Sequence, residues 1–144
     1  MDTIKKYSLL VLLALFFISC KKENQNLSVK TVNDSIIGTW TNPQQSDSIV
    51  SFQRVDGLVH DNYGISILKD GKVIERKNAG WCGTPPVAYA NFNGSWSMHD
   101  SIFEATVEYW GGTVDYKWKI VNVNNQSLKA IILLQKYNFT LGNN

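Results

Sequence analysis

The sequence predicts an all-β domain, a sandwich or barrel of about eight antiparallel strands. Three observations carry that expectation. Beyond Ile36 no stretch shows the apolar period of an amphipathic helix. Short segments rich in Val, Ile, Thr and aromatic residues recur instead, separated by Gly, Asn and Asp. Asp70-Gly71 and Gly111-Gly112 fall between such segments, where glycine's tolerance of positive φ suits a hairpin turn.

In chain order, strands are expected over 36–41, 49–55, 62–69, 72–78, 91–98, 101–110, 113–122 and 127–137. The hairpin over 101–122 is the most legible. With Gly111-Gly112 as a two-residue turn, Tyr109 faces Val114, Val107 faces Tyr116, Ala105 faces Trp118 and Phe103 faces Ile120. All of these share one face, and the small Ala105 beside Trp118 leads either to interlocking or to a recess. The other face pairs Glu104 with Lys119 and Thr106 with Lys117. It also sets Glu108 against Asp115, a like-charge mismatch eased by Lys117 on the diagonal. Asp70-Gly71 suits either a two-residue turn or a three-residue loop with a bulge. The final segment is apolar on both faces around Ala130-Ile131-Ile132-Leu133-Leu134, so it is either buried on both sides or carries an interface.

Before the domain, Lys5 and Lys6 precede an uncharged run from Leu9 to Ile18, and the small residue Ser19 precedes Cys20. A basic start, a short apolar stretch and a small residue before the cut mark a secretory signal. The run is shorter than the roughly 20 residues that span a bilayer as a helix. Residues 1–19 are therefore read as a signal peptide, 20–35 as a polar, flexible tether and 36–144 as one β domain. Cleavage before Cys20 removes Asp2, Lys5 and Lys6, leaving 12 basic residues (14 less two) against 11 acidic (12 less one). That near-neutral balance, with no basic cluster among aromatics, argues against nucleic acid as a partner.

Phe17-Ile18-Ser19-Cys20 resembles a lipobox, with Phe17 in place of the usual Leu. The resemblance implies lipidation of the Cys20 sulfur and a cell-envelope protein held at a membrane by that anchor. Lys21 after the cysteine is compatible with outer-membrane sorting. Cys82 is the other cysteine, so acylation of Cys20 leaves no internal disulfide. Ile37-Gly38-Thr39-Trp40 resembles the Gly-x-Trp signature of lipocalins, whose Trp plugs the closed end of an antiparallel barrel. Val114-Asp115-Tyr116 resembles their second motif, Thr-Asp-Tyr. Their third, an Arg on the last strand packed over the Trp, is absent, and only Lys129 and Lys136 lie there. The succession of Gly38-Thr39-Trp40, Gly94-Ser95-Trp96, an apolar hairpin and a final strand is similar to the lipocalin-like lipoproteins of Bacteroidetes-type bacteria. The resemblance implies a single lipocalin-like β-barrel and little about chemistry.

Cys82 as a nucleophile would need a base, and His60 and His99 are the only histidines; its Gly- and Pro-rich surroundings favour a packed loop. These residues do not form a metal-ligand pattern, and no Gly-rich phosphate loop precedes a helix. No catalytic residue, metal or cofactor is expected, and the chain is read as a non-enzyme. Trp40 and Trp96 read as structural. Tyr109, Tyr116 and Trp118, on the inward face of the hairpin, are the candidate ligand-binding residues, unless they simply fill a small barrel. Asp-Ser-Ile occurs at 34–36, 47–49 and 100–102. It reads either as turns leading into strands or as sequence resembling the O-glycosylation acceptors of such bacteria, at Ser35, Ser48 and Ser101. The expected function is binding of a small apolar or amphiphilic ligand in the envelope. The alternative is contact with another envelope protein through the final strand and the Trp81–Pro86 loop. Cys20→Ser should leave the precursor uncleaved by the lipoprotein peptidase and unlabelled by a palmitate analogue; normal labelling of that variant would end the lipoprotein reading.

Overall fold

The computed structural model describes residues 29–80 and 87–140. They form a helix, α1 (Val29–Ile36), and eight strands: β1 (Gly38–Ser46), β2 (Ile49–Val55), β3 (Gly64–Ile67), β4 (Lys72–Asn78), β5 (Tyr89–His99), β6 (Ile102–Tyr109), β7 (Gly112–Val123) and β8 (Ser127–Phe139). The signal segment, Cys20 and the Trp81–Pro86 loop lie outside the described residues. The strands close an antiparallel barrel in the order β1-β2-β8-β7-β6-β5-β4-β3 and back to β1. All eight expected strands are present, and the largest change is β1, which runs on to Ser46.

Strands β3 to β8 form a meander, and the β1–β2 hairpin is inserted between its ends, with β2 beside β8 and β1 beside β3. Residues 56–63 therefore pass β1 to reach β3. Because β3 is short, only Gly38–Thr41 of β1 has a partner on that side. Beyond it Asn42 takes a φ of 50° and the pairing with β2 shifts between Thr41 and Gln44. Pro43, which has no N–H to donate, falls in this irregular stretch, where a ladder bond is not required of it. The barrel wall is thus fully laddered where β1 begins and open on one side where β1 ends.

The Asp-Ser-Ile repeats supply two of the hairpins. Asp47-Ser48 and Asp100-Ser101 are both two-residue loops, and Ile49 and Ile102 begin the strands that follow. The two aspartates take φ values of 53° and 56°, a conformation Asp tolerates better than most residues. Asp34-Ser35-Ile36 instead ends α1. Of the two options for Asp70-Gly71, the chain adopts the longer: Lys69-Asp70-Gly71 is a loop inside a Leu68 N–H to Lys72 O bond of 2.9 Å.

The β6–β7 hairpin differs from expectation by two residues. Its loop is Trp110-Gly111, so Phe103 faces Trp118, Ala105 faces Tyr116, Val107 faces Val114 and Tyr109 faces Gly112. A two-residue slip preserves the faces, and the inward set is the one expected. Charge explains the choice of register. Glu104 now faces Lys117 and pairs with it at 2.6 Å, Thr106 donates to Asp115 at 2.8 Å, and Glu108 faces Thr113 in place of Asp115. Gly112 is needed for a different reason from the turn. It is the first residue of β7, and a Cβ there would lie 2.1 Å from the Asn138 carbonyl oxygen of β8.

The interior is filled from the β1 start upward. Trp40 is fully buried, donates its indole N–H to Ile36 O at 2.8 Å, and carries the Arg54 guanidinium 4.1 Å above its ring. Arg54 also donates to Ile37 O and Ser35 O, at 2.9 and 2.6 Å. Together the two side chains satisfy three carbonyls at the end of α1, groups a helix terminus otherwise leaves orphaned. Gly38 takes a φ of 145°, where an L side chain is strained, and a Cβ there would also displace the Arg54 guanidinium. Residues 29–35, expected as tether, are thus the body of a helix whose last residue, Ile36, is buried in the core. An eight-residue helix with three apolar residues, Val29, Val32 and Ile36, is unstable alone and too short to mark itself in sequence; its contacts with the barrel hold it. Next comes a stack of aromatic rings, Phe52–Trp118–Phe103–Trp96, with centroids 5.6, 5.3 and 5.8 Å apart. Trp96 also donates its N–H to Leu68 O at 2.8 Å.

The register carries a test. Gly112→Ala should cost more than about 2 kcal/mol, because backbone blocks the new methyl, whereas Gly111→Ala should cost less than about 1 kcal/mol, its nearest neighbours being the movable rings of Tyr109 and Phe139. Equal losses in denaturant melts would favour the symmetric Gly111-Gly112 turn.

Candidate functional site

At the end where β1 finishes, the barrel is not filled. A cavity of about 280 Å³ lies there, with the aromatic stack as its floor. Phe52 and Trp118 form that floor, and Val50 and Ile132 the apolar wall. Opposite them stand Tyr63, Glu75, Lys77 and Tyr116, with Gln135 and Tyr137 towards the rim. Pro43 and Gln45, from the half of β1 that lacks a β3 partner, complete the mouth.

The chemistry of the cavity centres on Glu75. Its side chain is 1 % exposed, on the inward face of β4 between Val73 and Lys77. One carboxylate oxygen accepts the hydroxyls of Tyr63 and Tyr116, at 2.8 and 2.9 Å. The other accepts Lys77 Nζ at 2.6 Å, and the lysine is itself only 16 % exposed. Three donors on one buried carboxylate are what a charge taken out of water requires. Burial, then the Glu75 charge, pushes the Tyr63 and Tyr116 hydroxyls well above the usual phenol range, so both stay protonated donors. Lys77 Nζ also sits 5.5 Å over the Phe92 ring and 5.8 Å over that of Tyr109.

Two of the expected ligand-binding residues, Tyr116 and Trp118, line this cavity, and Tyr109 does not. Tyr109 is buried in an aromatic cluster at the hairpin tip, edge-on to Trp110, Tyr137 and Phe139. The register places Ala105 against Tyr116, so the recess does not form between Ala105 and Trp118. Sequence reasoning missed Tyr63, Glu75 and Lys77. A signal was present in Val73-Ile74-Glu75-Arg76-Lys77: if Val73 faces inward, alternation carries Glu75 and Lys77 in with it. The competing phase, with Ile74 inward, is equally apolar at its first position. Arg54 was also missed. It supplies from β2 the arginine-over-tryptophan contact that was sought on the last strand.

A larger recess of about 650 Å³ is an open groove on the outer side of β4 to β7, near Ile74, Asn93, Ser95 and Thr106. It has no buried ionisable group and lies apart from the Glu75 network. His60 is exposed beside Asp61, Cys82 lies outside the described residues, and no three His, Cys, Asp or Glu groups among the described residues converge to hold a metal. The apolar last strand is not buried on both sides. A bulge between its pairings with Lys117 and Trp118 turns both Leu133 and Leu134 outward, 49 % and 45 % exposed. It also moves the inward set to Gln135 and Tyr137.

No protein-family model, curated protein or solved structure matches the chain.

The network predicts an asymmetry among tyrosines. Tyr116→Phe removes a donor from a buried charge and should cost roughly 1.5–3 kcal/mol. Tyr137→Phe, at the exposed rim, should stay within about ±0.5 kcal/mol. Chemical denaturation of both variants tests this, and equal losses would mean that Glu75 does not organise the cavity.

Proposed function

We propose that this chain is a lipid-anchored, lipocalin-like envelope protein that binds a small amphiphilic ligand inside its barrel. The supporting observation is the cavity of about 280 Å³, apolar along Val50, Phe52 and Ile132 and polar along Tyr63, Glu75 and Tyr116. A mostly apolar hollow with a few converging polar groups is the usual form of a small-molecule site. Its size is at the lower edge of the roughly 300–1,000 Å³ that drug-sized ligands occupy, which favours a compact ligand over a long acyl chain. Nothing in this reading requires catalysis: Tyr63, Glu75, Lys77 and Tyr116 bond to one another, and the buried indole N–H of Trp118 on the floor has no partner and can meet a guest. The anchor at Cys20 and an outer-membrane location belong to the same proposal and rest on the lipobox.

A second reading, contact with another envelope protein, is favoured by the outward Leu133 and Leu134 with Ile49 beside them on β2. The two readings separate by experiment. Titration of the full chain with six-carbon amphiphiles, followed by calorimetry, should give saturable binding. Ile132→Phe should fill the cavity and abolish the heat while the melting temperature is kept. Binding that survives Ile132→Phe, or its absence across the panel, would favour the contact reading.

A further inference from the structure

The ionisable groups of the cavity set a condition on the ligand. Among its described lining residues only Glu75 and Lys77 carry charge, and they pair with each other at 2.6 Å. Arg76 lies between them in sequence but points out of the barrel, to His60 O and Asn91. Tyr63 and Tyr116 hold their protons and add no charge. The described lining of the cavity is therefore neutral as a whole.

Resting on the binding reading above, we propose that the cavity selects uncharged amphiphiles, with a hydroxyl, carbonyl or amide head, over carboxylates and amines of equal size. A carboxylate guest would approach Glu75 with Lys77 already engaged. An amine would find the carboxylate already holding an ammonium and two hydroxyl donors. Either would bring a charge out of water without an unpaired counter-charge to meet it, and that transfer is far costlier than burying a hydrogen-bonded neutral group. An uncharged head escapes this cost. It can accept from the ammonium hydrogens that Lys77 does not give to Glu75, or donate to the hydroxyl oxygens of Tyr63 and Tyr116.

The test is a charge series on one chain length: 1-hexanol, hexanoate and hexylammonium, titrated at neutral pH into the full chain and into Glu75→Gln and Lys77→Met. The wild type should bind hexanol at least tenfold more tightly than either ion. Glu75→Gln leaves Lys77 unpaired and should make hexanoate the preferred member. Lys77→Met leaves Glu75 in excess and should prefer hexylammonium. The wild-type ranking stands alone if either variant fails to fold. Equal affinities across the wild-type series, or a ranking unmoved in folded variants, would overturn the inference and leave the binding site standing. Failure of all three probes to bind any variant would remove the binding reading itself.

Discussion

A carboxylate buried to 1 % exposure in a β-barrel has to be answered from several directions at once, and Glu75 is answered from three elements. Tyr63 comes from the segment leading into β3, Lys77 from β4 itself, and Tyr116 from β7 across the barrel. No ladder bond joins β4 to β7, which are separated by β5 and β6, so the Tyr116–Glu75 contact ties walls that the sheet does not tie directly. It does so at the half of the barrel where β1 has lost its β3 partner and regular hydrogen bonding is sparsest. A polar network there does what a fuller ladder does elsewhere. A single orphaned member would leave an uncompensated polar group, so the network holds as a unit. The cost is volume: side chains committed to a carboxylate cannot also fill the space above it.

The opposite end of the barrel solves a different problem by different means. A barrel end and a helix end both leave polar backbone groups exposed, and Trp40 with Arg54 joins one to the other. Because Arg54 stacks on Trp40 and donates to the carbonyls of Ser35 and Ile37, the helix has a fixed seat. Glycine at 38 answers both its φ of 145° and the close approach of the guanidinium. The Phe52–Trp118–Phe103–Trp96 stack divides this sealed half from the hollow half. The sealed half is held by packing and helix capping, the hollow half by the polar network on Glu75.

What the sequence made legible follows from which signals are local. Strand positions, the Asp-Ser turns and the inward face of β6 and β7 are set by period-two patterning and turn chemistry, both readable over a few residues. The hairpin register was only half readable. Two glycines marked a turn, but one of them is demanded by the passing backbone of β8, a contact between residues far apart in sequence. The Glu108–Asp115 clash was the local warning that the register was off by two. Helix α1 was hidden because eight residues with only three apolar ones, Val29, Val32 and Ile36, gain their order from Trp40 and Arg54. The cavity was the least legible feature. Tyr116 and Trp118 could be named from the inward face, but Tyr63, Glu75 and Lys77 join them only once β4 is placed across from β7.

The bulge in β8 shows how one extra residue shapes both faces of such a domain. Before it, Leu128, Ala130 and Ile132 alternate into the core, Ala130 and Ile132 opposite Ile120 and Trp118 of β7. After it, Gln135 and Tyr137 take the inward positions and bring polar atoms to the rim of the cavity. The residues at the phase change, Leu133 and Leu134, both face out, which creates an apolar outer strip next to Ile49. Without the bulge, Leu134 would continue the inward series and cover the mouth with an aliphatic chain, and Gln135 and Tyr137 would face solvent. The same local insertion therefore opens the hollow and exposes the strip. The apolar character of β8 in sequence follows from it: an unshifted strand with one solvent face would alternate, whereas this one spends two consecutive leucines on the outside.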